Sequence, residues 1–195
     1  MDRIPNFKED DEKYGKFGEK DFEEYCKENN LNVLDVSKDI KFQLADIDFL
    51  ASKKPIGVIN NIHNLLFSRN VEGRDILKFE VKTDTRSFET RNVVYEVISH
   101  DSAGCMAESK ADYVYYLFVD DSTGEIVKKE VWSIYLPAWR RYLREHFFDG
   151  KVSVADSERL YGIRRNNYNT HGDAVANLLC KIEKLQEHGI AKKLF

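Results

Sequence analysis

With 195 residues, 42% of them hydrophobic and only three prolines, the chain suffices for one domain of ordinary size with a real core, which excludes a disordered tail. No apolar run approaches the roughly 18 residues that span a bilayer, and the N-terminus MDRIPNFKEDDEKYGK is charged where a signal peptide is apolar, so a cytoplasmic protein with no membrane partner is expected. The net charge of −4 is unevenly spread, with 13 Lys and Arg against 8 Asp and Glu from residue 126 onward and 17 against 26 before it, so the last third is the basic end.

A polar lead-in over residues 1–13 precedes FGEKDFEEYCKENN, where Phe17, Phe22, Tyr25 and Cys26 recur at helical spacing before an Asn-Asn stop. LNVLDVS then reads as a short strand. ADIDFLAS reads as another, with Ile47, Phe49 and Ala51 on one face and Asp46, Asp48 and Leu50 on the other. A connection with Pro55, Gly57 and the apolar stretch VINNIHNLLF, which suits a short helix, leads to the strand ILKFEVKTD. NVVYEVIS and ADYVYYLFVD are further strands, the second so apolar that both its faces should be buried. VWSIYL reads as the last strand. Beyond it come a helix PAWRRYLREHFF with Pro137 at its start, a polar loop RRNNYNTHGD and a closing amphipathic helix AVANLLCKIEKLQEHG. The three cysteines, Cys26, Cys105 and Cys180, are widely spaced and not grouped with histidine, which points to buried thiols.

One stretch carries chemistry. In ILKFEVKTDTR, Phe79 and Val81 point to one face of the strand while Glu80 and Lys82 share the other. Glu-x-Lys alone is equally an ion pair on a half-exposed strand. Asp48 on the preceding strand adds a second carboxylate, giving the pattern Asp, then Glu-x-Lys. With these residues the chain resembles the PD-(D/E)XK nuclease superfamily, in which a glutamate-bearing helix precedes a mixed sheet that presents the three groups. The resemblance spans residues 14–136, which it marks as the nuclease core. YGKFGEKDFEEY is similar to the first helix of the Holliday-junction-resolvase-like members, with Glu19 at the matching place, and RNVVYEVIS and ESKADYVYYLFVD resemble their later strands. Ile47 stands where the family often has proline, and the link from Asp48 to Glu80 is long, so Asp46 stays open as an alternative to Asp48.

The resemblance implies an α/β fold with a restriction-endonuclease-like mixed β-sheet flanked by helices, followed over residues 137–195 by a helical, basic C-terminal part packed on the core. It also implies catalytic roles for Asp48, Glu80, Lys82 and Glu19. The chemistry agrees with those residue types. A phosphodiester repels hydroxide, so its hydrolysis calls for a cation that neutralises phosphoryl oxygens and acidifies a water. Mg²⁺, with Mn²⁺ as a substitute, prefers hard oxygen donors, which suits Asp48, Glu80 and the Val81 carbonyl. Lys82 then stands beside the metal-bound water, and Glu19 serves from the helix side, with a solvated helix face as its alternative. Asn92 and Glu96 match polar positions of the family's fourth strand, and Ser109 and Lys110 precede its fifth; these four are candidates to support the site.

For nucleic-acid contact the candidates are Arg140, Arg141 and Arg144 on one helix and Arg164 and Arg165 before NNYNTHG, since guanidinium forks match phosphate geometry. Ordinary solvation of a helix and a loop explains them as well. His100 beside Asp101 reads as a loop histidine or a general base. The expected function is that of an Mg²⁺-dependent endonuclease acting on DNA, with a homodimer left open. The alternative from another class is a catalytically silent nucleic-acid- or protein-binding module that keeps the fold, and the third is a nuclease for RNA or a small nucleotide.

Overall fold

The computed structural model describes residues 7–57, 62–67, 70–71, 74–99, 102–170 and 173–195. Along the chain it forms α1 (Phe7–Glu28), β1 (Asn32–Asp35), α2 (Ile40–Gln43), β2 (Phe49–Ser52), α3 (Ile62–Phe67), β3 (Asn70–Val71) and β4 (Arg74–Asp75). Next come β5 (Leu77–Asp84), α4 (Ser87–Thr90), β6 (Asn92–Ser99), β7 (Ser102–Ala103), α5 (Cys105–Glu108), β8 (Tyr113–Asp120) and β9 (Val127–Tyr135). The last elements are α6 (Leu136–Leu143), a π-helical turn over Arg144–Phe148, α7 (Val154–Tyr161), β10 (Ile163–Thr170), β11 (Asp173–Lys181), α8 (Ile182–Glu187) and β12 (Ala191–Lys193).

The fold is mixed α/β, built on a six-stranded sheet of order β1-β2-β5-β8-β9-β12. Only the β5–β8 pair in it is parallel. Alternation along β8 explains why that strand is buried on both faces. Val114, Tyr116 and Phe118 enter one core cluster, and Tyr115, Leu117 and Val119 enter the other. The second cluster lies under α1, whose Phe22 and Cys26, four residues apart, are fully buried. The Phe22 ring lies 4.8 to 5.0 Å from those of Phe49, Phe79 and Tyr115. The helix ends as expected at the Asn pair. Asn30 takes a left-handed conformation, and Leu31 N–H returns to the Cys26 carbonyl.

On the opposite face the first cluster joins the main sheet to a second one of order β10-β11-β6-β7. Trp139 of α6 is central to this layer, fully buried, edge-on to Tyr95 and donating its indole N–H to Cys180 Sγ at 3.4 Å. Val93, Tyr95, Leu178, Cys180 and Ile163 are the inward residues of the second sheet. Its other face carries Asn92, Val94, Glu96, Asn177, Leu179, Arg164 and Asn166, set by the β6–β11 and β10–β11 registers.

Several sequence expectations are corrected here. The helix starts at Phe7, so residues 7–13 belong to α1 and not to a lead-in. β2 begins only at Phe49, because Asp46 at φ 47° ends a tight turn in which Ala45 N–H and Ile47 N–H both return to the Phe42 carbonyl. The alternation therefore breaks, and Ile47 packs with Leu50 and not with Phe49 and Ala51. β9 is not the last strand, and the C-terminal part is not chiefly helical. The expected polar loop is the strand β10, and the expected closing helix is β11 followed by the six-residue α8. Residues 137–195 also complete both sheets, with β12 pairing with β9 and β11 with β6. Among the described residues, no helix is long and apolar enough to cross a membrane.

Gly18 fixes the seat of α1, since a Cβ there would collide with Thr83 Oγ1 and meet Val81 Cγ1 at 3.0 Å, whereas one on Gly15 would meet nothing within 4 Å. Gly18→Ala should therefore cost about 1–3 kcal/mol through overpacking. Gly15→Ala should be neutral or stabilising by about 0.5–1 kcal/mol. Thermal unfolding followed by circular dichroism checks this, at roughly 2–4 °C per kcal/mol for a chain of this size.

Candidate functional site

The turn that ends at Ile47 delivers Asp48 to the end of the β2–β5 ladder, whose first pair is Phe49 with Phe79. The Asp48 N–H donates to the Phe79 carbonyl at 2.9 Å, and its Oδ2 accepts the Val81 N–H at 2.8 Å. The carboxyl is thereby fastened over residues 79–81 of β5. Glu80, only 6% exposed, hydrogen-bonds the Asp48 carboxyl, and its Oε1 lies 3.0 Å from Lys82 Nζ. The structure thus brings Asp48, Glu80 and Lys82 to one point, on the face of β5 that looks toward the second sheet.

Burial is the main cause that pushes Glu80 from its ordinary 4.5 up to about 8; Asp48 and Asp46 push the same way and Lys82 pulls it down. Asp48 is also raised by burial, against the lowering effects of the Val81 N–H, Lys82 and the Glu80 hydrogen bond. Two buried carboxyls thus stand beside a single ammonium, with Asp48 adding to the burial that raises Glu80 and the Glu80 hydrogen bond working against the burial that raises Asp48. Asp46 joins the group electrostatically. It too is raised by burial, feels Lys82, Asp48, Glu96 and Glu108, and is held by its carbonyl, which accepts Ser109 Oγ at 3.0 Å. Glu19 reaches the site from α1, its carboxyl raised by burial and then by Asp48 and Asp35.

Among the described residues no three His, Cys, Asp or Glu side chains converge as metal ligands. The oxygen donors at this point are two carboxylates, Asp48 and Glu80, and the backbone at Val81. Two carboxyls crowded in a buried place fit a divalent cation, whose charge would offset theirs.

The other candidates separate. Glu96 faces the carboxylates closely enough to act on Asp46, and Asn92 lies on the same face of β6 farther along. Ser109 is a buried brace, its hydroxyl linking the Asp46 carbonyl to the Ala111 N–H. Lys110 points outward, its ammonium 5.8 Å from the centre of the Phe67 ring. The Arg140 guanidinium donates to the carbonyls of Met106 and Ser109 at 2.6 to 3.1 Å, which ties this half-buried candidate to the core. Arg141, Arg144, Arg164 and Arg165 are exposed, with Arg165 lying over the Phe147 ring. His100 and Asp101 lie outside the described residues. Sequence reasoning missed Asn166 and Asn177, which lay in segments read as loop and helix, where no local periodicity marks a strand. Compared with protein-family models, curated proteins and solved structures, the chain matches none of them.

A carboxyl whose pKa is higher in the fold than in the unfolded chain stabilises the fold while protonated. That contribution is complete below about 4.5 and is lost as pH rises through about 8. In metal-free protein, Glu80→Gln should therefore gain stability relative to wild type between pH 5 and 8.5, by on the order of 1–3 kcal/mol. Melting curves at the two pH values measure the difference, and a gap independent of pH would contradict it. Saturating Mg²⁺ should restore the wild type at the high end, by about 2.7 kcal/mol at 100 times Kd.

Proposed function

We propose that the protein is a nuclease of the PD-(D/E)XK kind with a restriction-endonuclease-like core, hydrolysing phosphodiester bonds of DNA with Mg²⁺ or Mn²⁺. The observation that carries this reading is the meeting of Asp48, Glu80 and Lys82 on one face of β5. The order of elements supports it too: a helix bearing Glu19, antiparallel β1, β2 and β5, then β8 parallel to β5. The core is interrupted by β6 and β7, which leave for the second sheet.

Asp48, Glu80 and the Val81 carbonyl are the groups that would hold the metal. When bound, it supplies a Lewis acid for the phosphoryl oxygens and a water of lowered pKa. The chain's own part is positioning. Asp48 is held by the Val81 N–H, so one oxygen of its carboxyl is fixed on the backbone of β5. Glu80, buried beside Asp48, would supply the second carboxylate. Lys82, more than a third exposed, can turn from Glu80 toward the substrate, orient the attacking water and carry a proton to or from it. Its positive charge offsets that gathering on the phosphoryl oxygens as the bond to the leaving oxygen breaks.

The test is cleavage of linear, circular, single-stranded and branched DNA, and of RNA, by purified protein with and without Mg²⁺ or Mn²⁺. Lys82→Ala should keep metal binding, read by calorimetric titration, and lose roughly 10²-fold or more in cleavage rate. Asp48→Ala should lose both. If the two variants match wild type in every assay, the binding-module reading replaces this one.

A further inference from the structure

Between the far end of β5 and the outward face of the second sheet lies a cleft of about 680 Å³, within the range of small-molecule sites. Its walls are unlike the carboxylate site. Asn92, Asn166 and Asn177 line it from three neighbouring strands, with Val94 and Leu179 between them. Arg86 and Arg164 stand at its margin, and among the described residues neither guanidinium makes an ion pair, in contrast to Arg91, which is bound to Glu130 and Glu183. Asp84, the one acid in the lining, is already engaged by the N–H groups of Arg86 and Ser87 and by the Tyr116 hydroxyl.

Asn177 is only 7% exposed, and its side-chain Oδ1 has no hydrogen-bond partner among the described residues. A buried acceptor left unsatisfied is costly, and a ligand with a donor removes the cost. The carboxamides each offer a donor and an acceptor together, the pattern that matches the edge of adenine. Two aliphatic side chains on paired strands suit the face of a base, and two guanidinium groups with no ion pair among the described residues suit its phosphate.

We infer that this cleft binds one unstacked nucleotide, with its base against Val94 and Leu179, its edge on Asn92, Asn166 and Asn177, and its phosphate on Arg86 and Arg164. The inference rests on the nuclease reading for its place in the molecule and adds the substrate class, a DNA strand with an unpaired base near the scissile phosphate. Asp84 lies four residues beyond Glu80 on the same face of β5, about 13 Å away and so about four base steps of a duplex strand. An orphan acceptor at Asn177 favours a base with an exocyclic amino group, adenine before thymine.

The experiment measures affinity by fluorescence anisotropy, without divalent metal so that nothing is cut. The probes are fluorescein-labelled duplexes with one bulged adenine, one bulged thymine or one abasic bulge. Wild type should bind the adenine bulge on the order of 10-fold more tightly than the abasic one, with thymine between. Asn166→Ala and Arg164→Ala, both at exposed positions where folding is not at stake, should shrink that preference and the overall affinity respectively. Equal affinity for the three probes, or a preference untouched by Asn166→Ala, overturns the inference. Mg²⁺-dependent cleavage without base preference overturns it too and leaves the nuclease standing. Base preference without cleavage supports the cleft and removes the nuclease.

Discussion

The bond from the Val81 N–H to Asp48 Oδ2 is the constraint on which the site rests. A carboxylate at the end of a short strand would otherwise swing into solvent, where ionisation is easiest. Tied to the backbone of β5, it is held against Glu80 in a buried place, where burial first and the neighbouring charges second set the charge properties of the region. Backbone position and carboxylate position become one variable. What fixes β2 on β5, including the left-handed Asp46 and the Ser109 hydroxyl that braces it, also fixes the distance between two acids.

The sheet lets one strand serve two incompatible environments. Phe79 and Val81 face the aromatic layer under α1, while Glu80, Lys82 and Asp84 face the second sheet. Two-residue alternation thus puts a dry core and a charged cleft one strand thickness apart. The parallel partner β8 repeats the division with tyrosines: Tyr115 reaches Asp21 of α1 on one side and Tyr116 reaches Asp84 on the other. Burial and the neighbouring carboxylates push both phenols far above their ordinary range, so these hydroxyls act only as neutral donors and acceptors.

How much of this was readable from the sequence differs by segment. Helix α1 and strands β5, β6 and β8 carry long, unambiguous periodicities, and they stand where expected. The meeting of Asp48 with Glu80 was readable because both flank strands that pair. The failures share one cause. ANLLCKI is apolar over too short a run for period 2 and period 3.6 to be told apart, and RRNNYNT is too polar to announce a strand. Only pairing with β6 decides that both are strands, and nothing local encodes a partner some 80 residues away. The two carbonyls that the Arg140 fork meets, on Met106 and Ser109, were equally illegible, since they come from a segment some 30 residues away.

The pairing of β12 with β9 has a consequence for how the molecule is made. Until Ala191–Lys193 are added, β9 presents an open edge of backbone donors and acceptors from Trp132 to Ile134, and the aromatic layer lacks the Phe195 ring that approaches Tyr25. Both sheets draw on strands far apart in the chain, so each closes only through long-range pairing, which slows folding and leaves strand edges exposed until it is done.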